Sequence, residues 1–454
     1  MSSTVVSVAR RNLNRRIVNA ASAVTAAALV VKVVATAKEF TVAGVFGRSD
    51  ALESFLVAAL IPGLLINLFS ESMNQALVPA LVRVKEQEGR DRAQQLLSVS
   101  IFWNLALLIA ASLTMALAAR VFFPLIGASF SAQKIDLAVH LFYGLLPAII
   151  LSGIASNFTA VLNTEGRFAL PSLAPIVTPL AIIVVVHCFA GELGIWTMVC
   201  STVFGSSIHA LWTARMLKSS GYQVMPRWHR MNESTCSVAR QYGVVLLSGL
   251  VASGGLLVDQ SMAAMLPAGS VSALAYAGRF VGVALTLLGG AVSSSSAPLF
   301  SEMVARSDWS ACRRTLRIWA AASAGIAAVV AVGLIFSAHS LVRLTFQHGV
   351  FGPQDTSAVS SVLVMYALQI PFFVGSRVFY RFLLAMRRAD LIFYCGSLNL
   401  VLDVVLNLVL MRWLGVAGIA LATSLWTVST FLFLCYWSWK VLPRVNEALP
   451  TLRG

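Results

Sequence analysis

Charge is scarce in this chain. Only 11% of its 454 residues are Asp, Glu, Lys or Arg, against about a quarter in a soluble domain. Acidic residues are the scarcer sign, 18 against 33 basic ones, which leaves a net charge of +15. With 58% hydrophobic residues and a mean hydropathy of +0.83, a soluble globular fold is excluded. The apolar runs are too long and continuous for the alternating strands of a membrane β-barrel. Cysteine pairing is absent too. Cys188, Cys200, Cys236, Cys312, Cys395 and Cys435 are scattered, none in a CxxC spacing, so disulfides and metal binding through cysteine are not expected. There is no GxSxG, no Gly-rich phosphate loop with its Lys, no HExxH and no Cys/His pair at ligand spacing. The histidines are dispersed. The chain reads as no enzyme, with no bound cofactor and no ATPase of its own.

What is present is an all-α polytopic membrane protein. A window of about 19 residues divides it into about twelve spans. Their limits are 22–46, 52–82, 96–120, 136–161, 169–190, 194–217, 240–266, 271–300, 317–345, 357–385, 391–411 and 415–439. The N-terminal Arg10, Arg11, Arg15 and Arg16 precede an apolar run from Ile17 to Phe46 that is too long for a signal-peptide core, so a retained first helix is expected. Pro62-Gly63 interrupts the second span, Pro147 lies in the fourth, and Pro171, Pro175 and Pro179 crowd the fifth. Such breakers are tolerated where neighbouring helices or water satisfy the freed backbone groups.

The basic residues sort by side. Lys and Arg crowd the N-terminus, 83–92, 215–240, 306–317, 387–388 and the tail, with Arg167 on the same side, while Arg48, Arg120, Lys134, Arg343 and Arg412 fall opposite. The crowded side is expected to be cytoplasmic, placing both termini there. The same rule accounts for the basic balance without nucleic acid as a partner; membrane lipids surround the chain instead.

The halves also repeat. Tyr143-Gly-Leu-Leu-Pro147 and the later Leu193-Gly194 correspond to Tyr366-Ala-Leu-Gln-Ile-Pro371 and Leu414-Gly415, at offsets of about 221–224 residues. Six spans per half give two lobes inserted the same way round, with a central cavity between them. The expected domains are an N-terminal lobe at 1–217, a basic linker at 218–239 and a C-terminal lobe with a short tail at 240–454.

Polar residues inside the spans are the candidate functional groups. A charge at mid-bilayer costs about 2.5–3.5 kcal/mol even on the lenient insertion scale, so it normally faces a bundle interior or a wet cavity. Lys32, Lys38 and Glu39 lie on the first span, Asn67 and Glu71 on the second, Arg279 on the eighth, and Arg377 and Arg381 on the tenth. Several cations lining one cavity suit an anionic substrate. Alternatively they snorkel or pair near helix ends. Asn399, Asp403 and Asn407 recur every fourth residue on the eleventh span, with Asp259 on the seventh and Thr423 on the twelfth. Carboxylate, amide and hydroxyl oxygens are ligands for a small hard cation such as Na⁺. They equally suit a proton site, or partners for the arginines.

Several segments resemble the MurJ/MviN lipid II flippase family. They are Val45-Phe-Gly-Arg-Ser-Asp-Ala-Leu-Glu-Ser-Phe-Leu-Val-Ala-Ala-Leu-Ile-Pro62, Leu68-Phe-Ser-Glu71 with Gln75-Ala-Leu-Val-Pro79, and Gly269-Ser-Val-Ser-Ala-Leu-Ala-Tyr-Ala-Gly-Arg279. Phe346-Gln-His-Gly-Val-Phe351 with Asp355-Thr356, and Gly415-Val-Ala-Gly-Ile-Ala-Leu-Ala-Thr-Ser424, complete the set. The resemblance covers nearly the whole chain. It implies the fold of the multidrug/oligosaccharidyl-lipid/polysaccharide (MOP) exporter superfamily and a flippase that turns an undecaprenyl-linked sugar precursor across the membrane by alternating access. By position, it implies cavity roles for Lys32, Lys38, Glu39, Glu53 and Arg279, and sodium ligation by Asp259, Asn399, Asp403 and Thr423. The chain departs from the family pattern in four places. Ile66-Asn67 stands in place of an arginine pair, Lys replaces Arg twice on the first helix, Gly278 replaces an acid, and the chain ends after about twelve spans where MurJ-type members have fourteen.

Three readings remain at this stage. The leading one is a flippase for a lipid-linked saccharide, lipid II-like or an exopolysaccharide repeat unit, working beside envelope glycan polymerases. A cation-coupled drug exporter of the same superfamily is disfavoured by a cationic cavity. A non-transporting membrane scaffold for envelope biosynthesis is favoured by the missing arginines.

Overall fold

The computed structural model describes residues 26–27, 29–165, 169–225 and 233–442. The N-terminal arginines, Arg167, linker residues 226–232 and the tail beyond 442 lie outside the described residues. Among those described, the chain is helical throughout and has no strand. Its helical stretches are α1 (29–46), α2 (Asp50–Gln87), α3 (Arg90–Ile126), α4 (Ala132–Thr164), α5 (Leu170–Leu193), α6 (Trp196–Ser219) and α7 (Glu233–Ala263). They continue as α8 (Ser270–Ala305), α9 (Trp309–Phe346), α10 (Pro353–Ala385), α11 (Ala389–Leu414) and α12 (Val416–Val441). Nine of these described helices are long and apolar enough to cross a membrane.

The expected breakers act locally. In α2, one turn beyond Pro62, the backbone widens into a π-helical turn over Ile66–Glu71 before α-geometry resumes at Ser72. Such turns are rare and concentrate at functional sites. In α5, Ala169–Leu173 is α-helical, Ala174–Ile176 is a 3-10 turn carrying Pro175, and regular helix starts at Val177. The paired prolines of the repeat part company. Pro147 sits inside continuous helix, whereas Pro371 opens a new segment of α10 at Ile370. The paired glycines do not: Gly194 has φ 53°, ψ −135° and Gly415 has φ 56°, ψ −134°. L side chains rarely adopt this backbone conformation, which explains why the Leu-Gly pair marks both helix junctions.

The chain divides into two compact units. The first holds residues up to Phe46, Ser54–Leu125 and Phe130–Ser253; the second holds Gly47–Glu53, Ile126–Ser129 and Gly254–Gly454. The core of the first unit gathers Met73, Leu77, Leu81, Leu97, Phe158 and Leu217 with the ring of Tyr242. Glycine sets one close approach in it: a Cβ on Gly205 would lie 2.6 Å from Thr178 Cα, so α5 and α6 touch backbone to side. The second unit has its own core of Phe300, Leu316, Phe379, Phe382 and Leu434. The Phe300 and Phe382 rings meet edge to face, 5.6 Å apart.

A polar clamp joins the ends of α2, α3 and α4 to the chain leaving α6. Lys85 Nζ and the Tyr222 hydroxyl both donate to Glu165 Oε1 at 2.6 Å. The Arg90 guanidinium covers the Tyr222 ring, 5.1 Å from its centroid, and donates to the Ser220 carbonyl. Gln94 exchanges two hydrogen bonds with the Gln223 backbone. Burial pushes the Glu165 carboxyl up. The bonds from Lys85 and Tyr222, with the Lys85 and Arg90 charges, outweigh it and hold the carboxyl below its ordinary value. Burial and the bond to Glu165 push the Tyr222 hydroxyl up. A depressed folded value means that Glu165 stabilises the fold above the carboxyl's ordinary pKa and loses that contribution as pH falls through the depressed value. Glu165→Gln should therefore lower stability at pH 7 by about 1 kcal/mol. In thermal melts of the purified protein, the gap to wild type should close as pH falls through the carboxylate range.

Candidate functional site

The candidate residues fall into one group in the first unit and three in the second. In the first unit, α1 carries Lys32, Lys38 and Glu39. Lys38 Nζ lies 2.8 Å from Glu39 Oε1, and Glu39 is only 6% exposed. Lys32 is half-buried, and its carbonyl accepts a bond from the Thr36 hydroxyl. Glu71 closes the π-helical turn of α2. It is exposed and accepts from the Ser156 hydroxyl at 3.0 Å.

In the second unit, the segment Gly47–Glu53 is tied to the start of α8. Glu53, 1% exposed, accepts backbone bonds from Val271 at 2.7 Å and Ser272 at 3.3 Å. The first amides of a helix have no partner within it and carry a positive partial charge. A buried carboxylate satisfies both needs. Arg48 donates from Nε to the Gly269 carbonyl at 2.9 Å and from Nη1 to Asp355 Oδ1 at 3.3 Å. The other Asp355 oxygen accepts from the Gly352 amide and caps α10. The Tyr276 hydroxyl donates to the Gly47 carbonyl at 2.9 Å. Glu53 thus serves as a helix cap, which its sequence position alone does not reveal. Arg48, Tyr276 and Asp355 were legible only as part of motif segments. Arg279, one turn beyond Tyr276, is exposed.

Arg377 and Arg381 stand one turn apart on α10, as their spacing requires. The Arg377 guanidinium lies 4.1 Å from the Phe373 ring centroid and 5.9 Å from that of Tyr380. The ring faces attract the guanidinium through their quadrupoles. The buried Arg381 Nε has no hydrogen-bond partner among the described residues.

The acidic constellation closes around Asn407. Its Nδ2 donates to Asp259 Oδ1 at 2.8 Å and to Asp403 Oδ1 at 3.1 Å. The Thr423 hydroxyl donates to Asp259 Oδ2 at 3.1 Å. Asp403 is 2% exposed and Asn407 fully buried. Asp403 Oδ2 and Asn407 Oδ1 have no hydrogen-bond partner among the described residues. Gly255 lies beside Asp403: a Cβ there would make ordinary contact with Asp403 Oδ2, at 3.5 Å. Tyr366 of α10 lies beside Thr423 and the carboxylates; in the sequence it was legible only as a repeat marker. Asn399 does not join them. Its amide turns to Thr430 Oγ1 at 2.8 Å, and Asn407, two turns further along the stripe, joins the carboxylates. Among the described residues, no group of three or more His, Cys, Asp or Glu side chains is placed to hold a metal. The cluster offers two carboxylates with amide and hydroxyl oxygens instead.

The family model for lipid II flippase MurJ matches residues 42–448. The chain belongs to the MurJ family. A probable lipid II flippase MurJ of Buchnera aphidicola (subsp. Acyrthosiphon pisum) is 22% identical over 417 residues, covering 89% of this chain and 80% of the relative. The lipid II flippase MurJ of Burkholderia cenocepacia is 27% identical over 350 residues, covering 75% and 68%. Among solved structures, an inward closed lipid II flippase MurJ aligns with a TM-score of 0.78 at 21% identity, over 92% of this chain and 88% of that one. An inward-facing multidrug resistance MATE transporter of the MOP superfamily aligns with a TM-score of 0.76 at 12% identity, over 93% and 96%. These likenesses establish the MOP exporter fold. This MurJ-family chain is a multi-pass protein of the inner membrane, and its family is one of transporters.

The Glu53 cap yields a direct test. Glu53→Ala leaves the Val271 and Ser272 amides buried without an acceptor, at a cost of about 1–3 kcal/mol. The thermal midpoint in detergent should drop, and Glu53→Asp should recover part of the loss.

Proposed function

We propose that this chain is a flippase that carries an undecaprenyl-linked sugar precursor across the inner membrane by alternating access. The observation that carries this reading is the cationic set within otherwise apolar helices: Lys32 and Lys38 on α1, Arg279 on α8, and Arg377 with Arg381 on α10. A pyrophosphate linking lipid to sugar is the anion that such cations, in either unit, would neutralise. Lysine binds phosphate as a point charge, without the planar fork of arginine. Together with Ile66-Asn67 in place of an arginine pair, this favours contact with the pyrophosphate over shape-specific recognition. The sugar itself is then read by other groups, and either a lipid II-like precursor or an exopolysaccharide repeat unit fits. Both termini lie in the cytoplasm, and the product is handed to envelope glycan polymerases on the far side.

Charge removal should stop translocation without preventing insertion. We expect Lys38→Ala and Arg279→Ala to lower flipping of a fluorescent lipid-linked disaccharide at least tenfold in proteoliposomes. Full activity in both variants would overturn the reading.

The oxygen cluster of Asp259, Asp403, Asn407 and Thr423 fits Na⁺. All its free valences are hard oxygens, and the orphaned Asp403 Oδ2 and Asn407 Oδ1 are buried. Two carboxylates bridged by one amide in an apolar bundle call for a cation or proton beside them. A bound Na⁺ would supply that charge and make the state of the second unit depend on the ion gradient. Na⁺ should then raise the melting midpoint over K⁺ or choline at equal ionic strength, and Asp403→Asn should abolish the difference.

A further inference from the structure

The first unit contains buried polar groups that neither the cation set nor the Glu165 clamp uses. Asn104 of α3 is 0% exposed, and neither its Oδ1 nor its Nδ2 has a hydrogen-bond partner among the described residues. Asn157 of α4, 2% exposed, leaves its Oδ1 without one. So do Asn74 at its Oδ1 and Ser70 at its Oγ, both on α2. In an apolar bundle such groups are costly unless something answers them.

Helix register brings the three asparagines to one level. At Gly153 the lack of a side chain lets Leu108 of α3 and Ser70 of α2 both reach α4. A Cβ there would collide with Leu108 of α3 and lie 2.9 Å from Ser70 Oγ of α2. The Tyr143 hydroxyl bonds the Ala116 carbonyl at 3.2 Å, which sets α3 antiparallel to α4. Asn74 Nδ2 donates to Ser156 Oγ at 2.8 Å, which sets α2 parallel to α4. From the Gly153 crossing, one turn on the same face leads from Leu108 to Asn104, from Gly153 to Asn157 and from Ser70 to Asn74. All three steps run in the same direction along the bundle.

We infer that Asn74, Asn104 and Asn157 hold an internal water molecule between α2, α3 and α4. The chemistry selects water over a cation. Both ends of the Asn104 amide are open, so its partner must donate and accept, whichever way the amide is turned. A cation would answer only the oxygens, and the three side chains carry no charge to balance it. A buried water makes about three hydrogen bonds, which three amides supply. The node lies just past the π-helical turn of α2, where the regular backbone ladder is interrupted, and water is one of the groups that re-satisfies such breaks in a membrane helix. The water gives α2 a joint whose hydrogen bonds can be exchanged as the helix bends. Through Asn74 and Ser156 the network ends at the exposed Glu71 carboxylate.

Radiolytic footprinting in proteoliposomes, after rapid mixing into ¹⁸O-water, tests this. Met73 and Phe158 are 4% and 3% exposed, next in sequence to Asn74 and Asn157. Both should be oxidised and should retain ¹⁶O, whereas Phe382, fully buried in the second unit, should stay unlabelled. Asn104→Leu should cut labelling several-fold, and Asn104→Ser, which keeps a donor and an acceptor, should preserve it. Should Asn104→Leu fail to fold, Asn157→Leu serves in its place. No labelling in wild type, or equal labelling in the leucine variant, overturns the assignment. A Na⁺-dependent rise in melting midpoint that Asn104→Leu removes and Asp403→Asn keeps would overturn it in favour of a cation.

Discussion

Lipid offers no hydrogen bonds, so each polar group in these helices must find its partner inside the protein. The Glu53 carboxylate on the Val271 and Ser272 amides is the clearest consequence. It caps the start of α8 and fixes the Gly47–Glu53 segment there. Arg48 then closes the Gly269 carbonyl, and through Asp355 the start of α10. One short segment thus satisfies the exposed ends of two helices. A carboxylate buried there supplies the acceptor those two amides lack within their own helix.

The same constraint separates the cations. Lys38 has Glu39 as its neighbour. Arg377 has the faces of Phe373 and Tyr380. Glu39 lowers the net charge of α1 beside its lysines, whereas aromatic faces hold an arginine without neutralising it. A phosphate meeting Arg377 displaces no carboxylate, whereas one meeting Lys38 competes with Glu39.

The fold was largely legible in the sequence because hydropathy, proline and glycine act locally. The spans, the prolines of α5 and the Leu-Gly junctions appear where their chemistry puts them. The repeat is firmer than the motif spacing implied, because Gly194 and Gly415 share one uncommon backbone conformation. Pro147 and Pro371 show the limit of such reading: one is absorbed into a helix and the other starts one. The site was less legible because partners come from distant segments. Nothing local distinguishes Asn399 from Asn407, yet one bonds Thr430 and the other bridges two carboxylates. Pro62-Gly63 marks α2 as interrupted, but no residue pattern gives the interruption its form, a π-helical turn over Ile66–Glu71.

Replacing arginine by lysine on α1 also changes what the rest of the site must do. An arginine fork fixes a phosphate in orientation; an ammonium group fixes only its distance. Orientation must then come from elsewhere, and neutral polar side chains are the means available. Asn67 lies within the π-helical turn, where one arginine of the family pair would stand, and is exposed. It can donate or accept toward a sugar hydroxyl but cannot pair a phosphate. On the proposed reading, selectivity would rest less on the pyrophosphate, which all lipid-linked sugars share, and more on the sugar that distinguishes them.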